Sequence, residues 1–114
     1  MSRRRGSKAE DLVANRYKKA GYEVRKHLMT SAGEVDILAR RGREKYAVEV
    51  KSGKQVVTSK EILKIYRKAK ALRAKPKMKL TSRQVKITNT ARELARKLGV
   101  SIDRIGKRGK RCKR

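Results

Sequence analysis

The chain has 114 residues, 37% of them hydrophobic and 40% charged, with 36 Lys and Arg against 10 Asp and Glu, a formal net charge of +26. One domain fits this length; with neither Phe nor Trp its core must be aliphatic, and Tyr17, Tyr22, Tyr46 and Tyr66 are its largest candidates. Such an excess repels itself and points to a polyanionic partner, nucleic acid before membrane, because no apolar run approaches the ~20 residues of a span.

Residues 1–6 and 106–114 read as basic tails flanking a domain over 7–105. Met1–Arg5 lacks the apolar stretch of a signal peptide, so the expected location is cytoplasmic, on the nucleoid. Ser7 is placed to cap a first helix whose opening turn carries Glu10 and Asp11 and whose apolar side runs Ala9, Leu12, Val13, Tyr17, Ala20 up to Gly21. Tyr22, Val24, Lys26 and Leu28 alternate as a strand, and Thr30–Gly33 is a loop. Gly33–Ala39 and Lys45–Lys51 then form a hairpin. With Gly42 and Arg43 at its tip, positions summing to 85 face each other, so Asp36 meets Glu49 and Glu34 meets Lys51. On this pattern Val35, Ile37 and Ala39 share one face, and Glu34, Asp36 and Leu38 the other.

Thr58 or Ser59 can cap a second helix with Ile62, Ile65, Tyr66, Ala69 and Leu72 inward, stopped by Pro76. Its other side carries Lys60, Lys64, Arg67, Lys68, Lys70 and Arg73. Arg83–Thr88 reads as a strand. Thr88 or Thr90 opens a third helix closed by Gly99, and Val100–Ile105 is the last strand. The order is αβββαβαβ. Cys112 is the only cysteine and His27 the only histidine. One of each does not make a zinc site, and they read as a surface thiol and a strand-face histidine. Abundant Lys, Arg and Glu resembles hyperthermophile composition.

Few carboxylates at fixed spacing in a cationic chain suggest a metal facing a phosphate polymer. Phosphodiester hydrolysis needs an activated water and relief of phosphate charge, and a divalent ion supplies both. Mg²⁺ keeps several waters, so one or two acids suffice to hold it. Asp36 and Glu49 are the candidate ligands, with the Val50 carbonyl a third. Lys51, two positions beyond Glu49, shares its strand face and is placed to orient water or stabilise transition-state charge. Glu10 lies with Val13 and Tyr17 on the inward side of its helix and is the fourth candidate. Glu34 could pair with Lys51, and Ser52 and Gln55 lie just beyond it. The bland alternative is a cross-strand ion network of Glu34, Glu49 and Lys51.

Asp36, Glu49-Val50-Lys51 and the order of elements resemble the PD-(D/E)xK nuclease superfamily. Within it, Lys8–Leu12, Gly33–Ala39 and Ala47–Lys51 are similar to archaeal Holliday junction resolvases and to small predicted endonucleases described as their distant relatives. The resemblance covers residues 7–105. It implies an α/β, restriction-endonuclease-like core with a mixed central sheet flanked by helices. It also implies a Mg²⁺- or Mn²⁺-dependent DNA endonuclease of recombination and repair. In that reading Asp36 and Glu49 are metal ligands, Lys51 the catalytic lysine and Glu10 the helix-one acid. A homodimer acting on branched or otherwise structured DNA is implied as well. The chain departs from the pattern in having Val35 where proline is common, in its extreme basicity, and in lacking an aromatic wedge.

Arg3, Arg4, Arg5, Lys54, Lys60, Lys64, Arg67 and Lys68 are the candidate DNA-backbone contacts, since nothing resembles a base-reading motif. Two other readings remain open: a non-catalytic nucleic-acid-binding module of the same fold, and a nuclease acting on RNA or on DNA ends.

Overall fold

A computed structural model describes residues 4–105, with side chains from residue 8 onward. Of the predicted tails, residues 1–3 and 106–114, including Cys112, lie outside the described residues, whereas residues 4–6 are helical instead of part of a tail. The elements are α1 (Arg4–Lys19), β1 (Glu23–Thr30), β2 (Gly33–Arg41), β3 (Glu44–Lys51), β4 (Val56–Val57), α2 (Ser59–Leu72), β5 (Lys75–Leu80), β6 (Lys86–Ile87), α3 (Asn89–Leu98) and β7 (Ser101–Arg104). Five strands make one sheet in the order β1-β2-β3-β5-β7. The β1–β2 and β2–β3 pairs are antiparallel, whereas β3–β5 and β5–β7 are parallel, so the sheet is mixed as expected.

Two cores hold helices to the sheet. On one face Val13, Ala14 and Tyr17 of α1 pack with Ile37, Ala39 and Val48. On the other, Ile62, Ile65 and Ala69 of α2 and Ala91 and Ala95 of α3 pack with Val35, Ala47, Met78 and Leu80. Parallel strands need crossovers, and α2 and α3 supply them between β3 and β5 and between β5 and β7. α2 starts where Thr58 donates through its amide and hydroxyl to Glu61 Oε1, at 3.1 and 2.8 Å. α3 starts where Thr88 Oγ1 accepts from the Ala91 amide at 3.1 Å. These side chains satisfy donors that a helix start leaves free.

Three expectations need correction. α1 begins at Arg4, so Ser7 lies within the helix instead of capping it. The fourth strand of the sheet is Lys75–Leu80, not Arg83–Thr88. α2 stops at Leu72 with Arg73 left-handed, and Pro76 sits inside β5. Pro76 is tolerated because pairing with β7 starts one residue later, at Lys77, near the strand's beginning. The alternation of Met78 and Leu80 with Lys77 and Lys79 was there to be read, but the proline hid it. Arg83–Thr88 contributes only β6, which pairs with β4 beside the main sheet.

A further correction positions the site. The hairpin register is the expected one, from Arg41 opposite Glu44 through Ile37 opposite Val48, with Gly42 at the tip in the left-handed region (φ +62°). Beyond Ile37 the ladder stops. Val35 enters the α2–α3 core while Ile37 and Ala39 enter the α1 core. β2 therefore turns over at Asp36, and the simple alternation fails there.

Candidate active site

Asp36 sits at this turnover. The Val50 amide donates to its Oδ2 at 2.9 Å, where the next rung of the β2–β3 ladder would lie. Glu49 stands one residue before Val50 on β3, and the Asp36 charge raises its cost of ionising. Burial, then the Asp36 charge, pushes the Glu49 carboxyl up to about 7. Burial raises Asp36 too, against the opposing pull of the Val50 amide, Lys68, His27 and Lys51. Lysines 51 and 68 lower both groups without overcoming their burial. Glu49 Oε1 is buried without a hydrogen-bond partner. A mostly buried carboxylate oxygen that makes no hydrogen bond, beside the carboxyl of Asp36 and 3.6 Å from the Lys68 ammonium, fits the hard oxygen donor set that Mg²⁺ or Mn²⁺ takes.

The sequence placed Glu10 inward, and it is: its side chain is 13% exposed. Burial and the Asp36 charge raise its pKa. Its neighbour Asp11 faces outward and pairs with Lys26 on β1. Lys51 ends β3 with its carbonyl held by the Thr81 amide at 2.9 Å and the Thr81 hydroxyl at 3.2 Å. The backbone under Lys51 is thus fixed by a loop outside the hairpin. Ser52 and Gln55 are engaged with each other, the Gln55 amide donating to the Ser52 carbonyl at 2.6 Å.

Three residues sit differently from the sequence reading. Lys68 is not on the exposed side of α2. Its side chain is 13% exposed and its ammonium lies 3.6 Å from Glu49 Oε1. Gly33 (φ +126°) makes room for it: a Cβ there would stand 3.1 Å from Lys68 Cε. Glu34 does not pair with Lys51; it bonds His27 Nδ1 at 2.7 Å, across the β1–β2 ladder. His27, read from sequence as a plain strand residue, is therefore part of the centre. Its Nε2 lies 3.0 Å from Glu10 Oε1, and Glu10, His27 and Asp36 present ligand atoms within 4.8 Å of one another. The only signal for this in the sequence was proximity of β1 to Asp36, which needs the register to be known. The cross-strand network of Glu34, Glu49 and Lys51 is not formed.

Lys54, Lys60, Lys64 and Arg67 are exposed, as a backbone-binding surface requires. The side chains of Arg3, Arg4 and Arg5 lie outside the described residues. Among the described residues no helix is long and apolar enough to cross a membrane.

A mixed sheet between helices, with acids gathered where β2 leaves β3, defines a restriction-endonuclease-like domain. The chain belongs to the family described as restriction endonuclease (Mrr_cat), whose model matches residues 2–105. The nuclease resemblance read from the sequence is borne out at this level. A UPF0102 protein of Thermotoga neapolitana is 49% identical over 47 residues, 40% of this chain and 44% of that protein. One of Thermotoga maritima is 50% identical over 46 residues, 40% and 43% of the two lengths. The matched segment spans less than half of these curated relatives. Among solved structures, a protein of unknown function, AF1548, superposes with a TM-score of 0.68 at 19% identity, over 83% of this chain and 55% of that one. A repair endonuclease from Pyrococcus abyssi gives 0.59 at 14% identity, over 80% and 41%. These two share the fold.

Proposed function

We propose that the protein is a metal-dependent DNA endonuclease acting on branched or otherwise structured DNA. The observation that carries this is the half-buried Asp36–Glu49 pair, whose Glu49 Oε1 makes no hydrogen bond and lies 3.6 Å from the Lys68 ammonium, set in a chain of net charge +26. Carboxylates facing phosphates weaken binding unless a cation lies between them, so a pure DNA-binding module has no use for the pair. Asp36, Glu49 and the Val50 carbonyl hold Mg²⁺ or Mn²⁺, which when bound polarises the phosphate and acidifies water. Lys51 orients the attacking water and offsets charge on the phosphate oxygens. Glu10 shapes the far side of the site through its contact with Asp36. The substrate is DNA held by its backbone, in a homodimer that matches the two-fold symmetry of a four-way junction. The nuclease domain takes in α1 from Arg4 and runs to residue 105, the basic segments at either end add charge for the DNA backbone, and the protein resides with the nucleoid.

The test is cleavage of end-labelled four-way junction, duplex and single-stranded DNA with Mg²⁺ or with EDTA, by wild type and Asp36→Asn. Symmetric nicks in the junction that need Mg²⁺ and Asp36 are expected. Tight, salt-sensitive binding without cleavage of any substrate overturns the reading.

Lys60, Lys64 and Arg67 project from the exposed side of α2. Each phosphate neutralised contributes a slope of about −0.9 to log K against log salt. Replacing all three with Gln should reduce the slope by about 2–3 and weaken all sequences alike. Filter binding across a salt series reads this, and an unchanged slope removes α2 from the interface.

A further inference from the structure

The register of β1 on β2 puts His27 opposite Asp36, between the pairs Lys26–Ile37 and Leu28–Val35. At that position the backbone is left-handed, with φ +53°, although the residue is not glycine and the surrounding chain is strand. Few L-residues adopt this conformation, and mostly Asn, Asp and His do. Strained backbone of this kind gathers at functional sites, where the surrounding structure holds it. Here its consequence is visible: it carries the imidazole to the end of β1–β2 where α1 brings Glu10.

The two ring nitrogens have different neighbours. Nδ1 lies 2.7 Å from Glu34 Oε2, and Nε2 lies 3.0 Å from Glu10 Oε1. Glu34 is exposed, whereas Glu10 is mostly buried beside Asp36. A carboxylate on one ring nitrogen, with the other turned toward a pair of acids, is how metal-binding histidines are oriented. The carboxylate takes the N–H and fixes the tautomer, and the other nitrogen offers its lone pair. Three elements, α1, β1 and β2, each supply one donor, and the donors stand within 4.8 Å of one another. That is close enough for a single ion to meet all three.

We propose that Glu10, His27 and Asp36 form a divalent-cation site in which His27 Nε2 is a direct ligand and Glu34 its orienting partner. The site rests on the metal-dependent reading above and shares Asp36 with the Asp36–Glu49 pair. Its donor set is what distinguishes it. Mg²⁺ takes oxygen and sheds water reluctantly, whereas an imidazole nitrogen moves preference toward transition metals. Mn²⁺ accepts both donor types, so this centre selects Mn²⁺ over Mg²⁺, while the Asp36–Glu49 position, all oxygen, takes either. His27 is thereby a determinant of metal choice.

His27 is the only histidine of the chain, so any imidazole nitrogen bound to a metal in the untagged protein is its own. The experiment is electron spin echo envelope modulation on the full untagged chain loaded with Mn²⁺, with bound ion counted by conventional electron paramagnetic resonance. Wild type should show imidazole ¹⁴N coupling. His27→Asn, which keeps a residue tolerant of the left-handed backbone, should lose it and bind this ion about 10–100-fold more weakly. Glu34→Gln should bind it about tenfold more weakly. Mn²⁺ that binds without imidazole coupling overturns the site: His27 is then a hydrogen-bonding clamp between Glu34 and Glu10, and the Asp36–Glu49 reading stands. A wild type that binds no Mn²⁺ overturns this site and the metal-dependent reading together. The wild-type spectrum alone decides between these outcomes should His27→Asn fail to fold.

Discussion

Glu49→Gln should make the metal-free protein more stable above neutral pH while abolishing cleavage. The Glu49 carboxyl ionises near 7 in the folded protein and near 4.5 when free of its surroundings. As pH rises between these values the unfolded chain loses the proton first, so stability falls across that window and the loss is complete above about pH 7. Each pH unit is worth about 1.4 kcal/mol, so the full gap sets a ceiling of about 3 kcal/mol. Gln carries no charge to desolvate. The variant should therefore match wild type near pH 4.5 and exceed it by about 1–3 kcal/mol at pH 8, read by urea unfolding in EDTA. On the proposed function the same substitution removes an anionic metal ligand, and cleavage should fall about 10³-fold, a loss in the range of catalytic electrostatic groups. Saturating Mg²⁺ or Mn²⁺ should raise the stability of wild type and not of Glu49→Gln, because only an ion bound to the folded state stabilises it. A variant less stable than wild type at every pH would mean that Glu49 serves the fold, and the metal reading of the pair would go with it.

The sequence carried the hairpin, and with it the site, because two things agreed there. Strand alternation is local, and the tip at Gly42 fixes every later pairing, so Asp36 and Glu49 could be brought together without knowing the rest of the fold. What escaped was non-local. That Val35 and Ile37 serve different cores depends on β2 turning over at Asp36, and no periodicity announces this. That Lys68 belongs to the site depends on how α2 crosses the sheet. Helical spacing put it on the polar side, and by spacing alone it belongs there; the room left by Gly33 and the buried Glu49 draw its long stem inward. His27 was passed over for a related reason. A single histidine on a strand has no partners in sequence, and Glu10 and Glu34 become its partners only when α1 and β2 close on β1. β5 is hidden for a different reason: Pro76 reads as a helix stop and is also acceptable near the start of a strand not yet paired on both sides.

Lys51→Met should lose turnover and keep its metal. The Lys51 ammonium lowers the pKa of both Asp36 and Glu49 without being the first cause at either, and its backbone is held by Thr81 whatever the side chain. Removing it deletes a cation beside the carboxylates, so a divalent ion meets less repulsion and should bind equally or up to about tenfold more tightly. The phosphate, however, loses its positive neighbour at the moment charge builds on its oxygens, and kcat should fall about 10²–10³-fold. Lys51→Arg should not restore it, because the planar guanidinium cannot occupy the place of a compact ammonium. The pair of measurements, Mn²⁺ affinity and single-turnover cleavage, separates this from damage to the fold, which would weaken both. Cleavage by Lys51→Met within about threefold of wild type would hand the role to Lys68, whose ammonium already stands 3.6 Å from Glu49 Oε1. Lys68→Met would then be the variant that fails, and the lysine serving the chemistry would come from α2 instead of from β3.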